Sequence, residues 1–160
     1  MSRRSCLGAR CALLLVATSL ACIPAVHAED GERRARVSVL PKYQQECAAC
    51  HVAYPPGLLP AASWQRLMSH LPHHFGTDAS LDPGTTQEIS NWLVRNADAR
   101  ARAAPPEDRI TRSAWFIRKH DEVPAATWKR ASIKSAANCP ACHTRADQGD
   151  FDEDNVRIPR

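Results

Sequence analysis

The sequence predicts an all-α chain, and three observations predict it. Apolar residues recur at helical spacing in several segments, no segment reads convincingly as a strand, and one short cysteine–histidine motif occurs twice. The motif is Cys47-Ala-Ala-Cys50-His51 within "QECAACHVAYPPG" and Cys139-Pro-Ala-Cys142-His143 within "NCPACHTRA".

Taken in order, the chain opens on Arg3, Arg4 and Arg10, then the apolar run "ALLLVATSLA" and the small residues Val26 and Ala28. This is the pattern of a signal peptide, residues 1–28, cleaved after Ala28. The run is short for a membrane span and Pro24 follows it closely. "SRRSCL" only partly matches a twin-arginine signal, and "SLAC" lacks the leucine that a lipoprotein box carries three residues before its cysteine. Without residues 1–28 the 160-residue chain keeps 132, and 18 of its 21 basic side chains face 17 acidic ones. A balance of +1 gives no support to a nucleic-acid surface. Cys6, Cys11 and Cys22 leave with the signal, so every remaining cysteine belongs to the two motifs and no disulfide framework is left.

Helices are expected at about 43–51, 62–70, 84–97, 110–121 and 135–146. Trp64, Leu67, Met68 and Leu71 form an apolar stripe, and Pro72 ends it. Asp82-Pro83 is a cap with proline at the first helical position. "DARARAAPPED", 98–108, reads equally as a hinge between two lobes, about 40–97 and 109–160, or as an ordinary connection. Ile110, Ala114 and Ile117 follow helical spacing, and His120 shares their face. The acidic "DQGDFDEDN" near the end reads as a solvated tail or a docking face for a basic partner.

In a helical turn, side chains at i, i+3 and i+4 share a face. Two cysteines and a histidine placed so can tether a haem by two thioether bonds and reach its iron, the established reading of C-x-x-C-H. Cys47, Cys50, Cys139 and Cys142 are therefore the attachment residues of two covalent haem c groups, with His51 and His143 as axial ligands. Zinc does not require a histidine after each second cysteine. A thioredoxin-like disulfide needs strand–helix alternation, which this chain lacks. Thioether haem is assembled outside the cytoplasm, so the motif and the export signal agree on a periplasmic protein.

The second axial ligand decides between electron carrier, gas binder and peroxidase. Met1 goes with the signal, leaving Met68 as the one methionine, and it sits on an apolar stripe that suits packing. Besides the motif histidines there remain His70, His73, His74 and His120. His70 points away from the stripe. Periodicity does not choose between His73 and His74, although His51 to His74 and His120 to His143 are both intervals of 23, in mirrored order. His120 shares an apolar face, where a haem in need of a ligand outweighs an ordinary core role.

The strings "ECAACHVAYPPGLLPAASWQRLM", "HFGTDASLD", "NWLVRNA", "RITRSAWFIRKH", "ANCPACHTRADQGDF" and "RIP" together resemble the small dihaem cytochrome c family of bacterial periplasmic electron carriers, over about Tyr43 to Pro159. The resemblance implies a small c-type cytochrome spanning 29–160 with two bis-histidine haems, metal ligands His51, His74, His120 and His143, and no enzymatic role. It also implies a redox partner such as an oxygen-binding monohaem cytochrome or a membrane cytochrome b. An iron with two imidazoles has no open site, which suits one-electron transfer. The alternatives are a dihaem peroxidase-like enzyme, whose chain is usually more than twice as long, and the dihaem subunit of a periplasmic nitrate reductase, whose motifs lie closer together than Cys47 and Cys139.

Overall fold

The computed structural model describes residues 37–101 and 103–160, and the expected signal peptide over 1–28 lies outside the described residues. The described residues fold as four α-helices, α1 (Pro41–Cys47), α2 (Ala61–Ser69), α3 (Pro83–Arg95) and α4 (Ala114–Lys119), joined by 3₁₀ turns. Among the described residues the only β pairings are isolated bridges, His74 with Thr77 and His143 with Val156. The expected all-α class is the one adopted.

The core of the first part forms where three apolar stripes meet. Leu40, Tyr43 and Cys47 at i, i+3 and i+7 bring one face of α1 inward. Trp64 and Met68 of α2 and Ile89 and Leu93 of α3 complete the cluster, with Leu59 beneath them. Met68 packs here, in the role its stripe predicts. The Trp64 indole N–H donates to the Pro56 carbonyl at 2.7 Å, and the Tyr43 hydroxyl to the Tyr54 carbonyl at 2.8 Å. Asp82 caps α3 by accepting from the Thr85 amide at 3.0 Å, with Pro83 beginning the helix as expected.

Three expected helices differ. The first stops at Cys47, because the apolar stripe ends there and packing rewards no further turn; Ala48–Cys50 form a turn instead. The stretch expected as one helix over 110–121 is broken at Ser113, whose extended backbone lets its hydroxyl accept from the Phe116 amide at 3.1 Å. It becomes a 3₁₀ turn, Ile110–Arg112, followed by α4. Ile117, expected on a packed face, is 59% exposed beside His120. No α-helix spans 135–146. Lys134 has a left-handed φ of 70°, Pro140 removes a donor, and only the 3₁₀ turns Cys139–Ala141 and Ala146–Gln148 form.

The segment 98–108 is anchored at both ends. The Asp98 amide donates to the Leu59 carbonyl at 2.9 Å, and Arg66 of α2 grips Asp108 through two parallel bonds of 2.8 and 2.6 Å. Glu107 and Asp108 both have left-handed φ near 55°, and Glu107 pairs with Arg109 and Arg112. The acidic stretch near the end is partly matched by cations, Arg145 with Asp150 and Lys119 with Glu153, each at 3.3 Å. Among the described residues no helix is long and apolar enough to cross a membrane.

Replacing Leu93, 1% exposed, by alanine is expected to lower unfolding free energy by about 2–5 kcal/mol, read by denaturant titration. Asp108 is held below the usual carboxylate range by Arg66. A depressed carboxyl contributes stability above its unfolded pKa and loses it as pH falls through the folded value. Asp108→Asn is therefore expected to destabilise at pH 7, by less than about 1 kcal/mol because the partner guanidinium is half exposed, and to match the parent in acid.

Candidate functional site

The first site is assembled by two turns that leave helices. Beyond α1, the chain turns through Ala48–Cys50 and presents His51, whose Nδ1 lies 2.7 Å from the Val52 carbonyl. A carbonyl only accepts, so Nδ1 carries the proton and Nε2 keeps a free lone pair. From the other side, α2 ends at Ser69, and a 3₁₀ turn, Leu71–His73, with Pro72 at its second position, delivers His74. Phe75 and Gly76 then adopt φ of 50° and 96°, reversing the chain so that the Thr77 amide bonds the His74 carbonyl at 3.1 Å. A Cβ at Gly76 would meet no neighbour, so it is the backbone angle that favours glycine there. The rings of His51 and His74 lie 6.1 Å apart, 27° from parallel.

The second site is built in reverse order. His120 follows α4; its Nδ1 lies 2.9 Å from the Phe116 carbonyl one turn back, and its ring stacks on Phe116 at 4.0 Å. Nε2 is again the free nitrogen. His143 follows the Cys139–Ala141 turn, its amide bonding the Cys139 carbonyl at 2.8 Å. The Arg157 amide, also at 2.8 Å from the Cys142 carbonyl, fastens the motif to the end of the chain. His120 and His143 have centroids 6.1 Å apart at 71°. Trp128 flanks His120 at 5.9 Å, and Phe151 flanks His143 at 5.4 Å.

Burial, then the facing His51, lowers the pKa of His74; burial, then His120, lowers that of His143, against the opposing charge of Asp150. Both stay neutral near pH 7, the form that binds metal. Their Nδ1 atoms are buried without a hydrogen-bond partner. Burial also pushes the Cys47 and Cys139 thiols up to about 11 and raises that of Cys142.

These residues fit two haems. An imidazole centroid lies about 1.1 Å from its nitrogens and a metal–imidazole bond is about 2 Å, so two imidazoles that would hold one metal from opposite sides have centroids about 6 Å apart. Both pairs stand at that separation, each with a cysteine pair adjoining, and the exposed apolar Phe75 and Ile117 adjoin His74 and His120. Of the other candidates, His73 is exposed, and His70 is turned toward Ser69 and the Arg66 carbonyl at 2.9 Å. Each pair joins histidines from one half of the chain, in an uncrossed arrangement.

Residues 43–151 match the sequence model of the dihaem cytochrome c family, more than half of the chain. The chain belongs to that family. It carries two covalently bound haem c groups, and membership implies electron transfer. Among solved structures it is similar to a diheme cytochrome type c from Shewanella baltica, 43% identical with a TM-score of 0.65 over 74% of this chain and 91% of that one. Two structures of a diheme cytochrome c from Rhodobacter sphaeroides are 46% and 44% identical, with TM-scores of 0.62 and 0.64, covering 72% of this chain and 99% and 98% of theirs. No curated protein matches.

Sequence reasoning passed over Tyr54, whose ring stacks on His51 at 4.9 Å. Its place three residues after His51 lies in irregular backbone, where no periodicity marks a partner. Replacing Cys47 and Cys50 together by alanine is expected to leave one covalent haem, seen as the loss of one haem mass by intact-protein mass spectrometry, and Cys139 and Cys142 likewise.

Proposed function

We propose that this dihaem cytochrome is a periplasmic carrier of single electrons, with His51 and His74 on one iron and His120 and His143 on the other. Cys47 with Cys50, and Cys139 with Cys142, hold the two groups by thioether bonds. The observation that carries the reading is the equal 6.1 Å facing of two histidine pairs.

Haem iron supplies a one-electron couple when bound. What this chain would add is a pair of imidazoles for each iron. His51 and His120 are held with Nε2 free by their Nδ1 contacts to carbonyls, and His74 and His143 are kept neutral by burial. With two imidazoles, each iron would keep no position open to peroxide or oxygen, and its potential would lie below that of a methionine-ligated site. Met68 is engaged in the core. One site in each of two lobes, about 40–97 and 109–160, gives two stations on one small protein. The partner is a redox protein, either an oxygen-binding monohaem cytochrome or a membrane cytochrome b, met in the periplasm after export on the residue 1–28 signal.

The test is stopped-flow mixing of the anaerobically reduced protein with an oxidised monohaem cytochrome and, separately, with hydrogen peroxide. Reoxidation by the cytochrome without peroxide turnover is expected; sustained peroxide-driven oxidation of a donor would establish the peroxidase reading instead. His74→Ala is expected to make one of the two haems bind carbon monoxide, while His73→Ala leaves the spectrum of the parent.

A further inference from the structure

Tyr54 touches the first haem-binding motif and the loop that leads into the second. Its ring lies on His51, centroids 4.9 Å apart and planes 22° from parallel. Its hydroxyl donates to the Ala137 carbonyl at 2.9 Å, two residues before Cys139 and 83 positions along the chain. Its own carbonyl accepts from Tyr43, which is 3% exposed and packed against Trp92 at 5.0 Å.

Both ends of this connection are stiff. Pro55 and Pro56 follow Tyr54 with φ restricted by their rings, and the Pro56 carbonyl is held by Trp64. At the far end the Asn138 amide bonds the Ser135 carbonyl at 3.0 Å, and the Asn138 side chain bonds the carbonyl of Ile133, which is fully buried. Beside the connection lies a cleft of about 370 Å³, lined by Tyr43, Tyr54 and Trp92 together with Asp147, Gln148 and Gly149. Across an open cleft, a hydrogen bond between two anchored elements sets their separation.

We infer that Tyr54 is a positioning residue that holds the His51 imidazole and the loop before Cys139 in one register, so that the two haem-binding motifs move as one body. The stack fixes the plane of the imidazole, and the hydroxyl fixes the second motif relative to it. The inference rests on the ligation reading above only for its spectroscopic half.

Tyr54→Phe keeps the ring and drops the hydroxyl; Tyr54→Leu drops both. In the holoprotein, hydrogen–deuterium exchange of residues 135–143 is expected to rise about 2- to 10-fold in either variant, the value of one hydrogen bond. The low-spin EPR signal of the haem ligated by His51 is expected to shift in Tyr54→Leu and stay in place in Tyr54→Phe. The parent protein's EPR tests the ligation reading separately, and Tyr54→Phe carries the exchange measurement if Tyr54→Leu does not fold. Unchanged exchange in Tyr54→Phe, or EPR signals that Tyr54→Leu leaves in place, would reduce Tyr54 to a side chain filling the cleft and overturn the inference.

Discussion

Two pairs of facing imidazole rings, His51 with His74 and His120 with His143, each with centroids 6.1 Å apart, are the constraint on which the rest of this fold depends. A pair so placed must come from two segments, each stopped and turned at one position. In the first half Pro72 stops α2, and the left-handed Phe75 and Gly76 turn the chain back after His74. A positive φ at a phenylalanine costs about 1–3 kcal/mol, and it persists where the surroundings over-determine it. Here Arg109 lies 4.3 Å over the Phe75 ring and His74 packs on its edge. In the second half Ser113 starts α4 at the residue that leaves His120 just past its last turn.

The two halves differ in how much core the polypeptide supplies. Helices α1, α2 and α3 close over Tyr43, Leu59, Trp64, Met68, Ile89 and Leu93. From Ser113 onward the buried apolar side chains among the described residues are Phe116, Ile133 and Ala146. Burial of a large apolar side chain is worth about 1.5–3 kcal/mol, while ordering one residue costs about 1–2. Two such side chains, Phe116 and Ile133, with the small Ala146, cannot order a segment of short turns, so a covalently held porphyrin is a structural element there as well as a redox one. This also accounts for the scarcity of regular helix after α4: turns that follow a cofactor need not follow a periodic stripe.

That difference marks what was legible in the sequence. Helices α2 and α3 could be read to within two residues, because Trp64, Met68, Ile89 and Leu93 pack against protein and leave the helical period in the text. The helices expected at 43–51 and 135–146 failed at the motifs themselves, where the backbone follows turns with no apolar stripe of their own. The stripe through Ile117 was real as spacing but does not face protein. His74 was separable from His73 by the mirrored interval and the resemblance; the facing rings are a tertiary fact that neither contains. Tyr54 joins residues far apart in the chain, and local pattern holds no trace of that.

Low-temperature EPR of the oxidised holoprotein, with optical spectra of the reduced form before and after carbon monoxide, tests the paired ligation most directly. The account predicts two covalent haems, both low-spin, with no spectral change on adding the gas. A high-spin signal, or a shift with carbon monoxide in the parent protein, would mean that one facing pair does not close its iron and would contradict it.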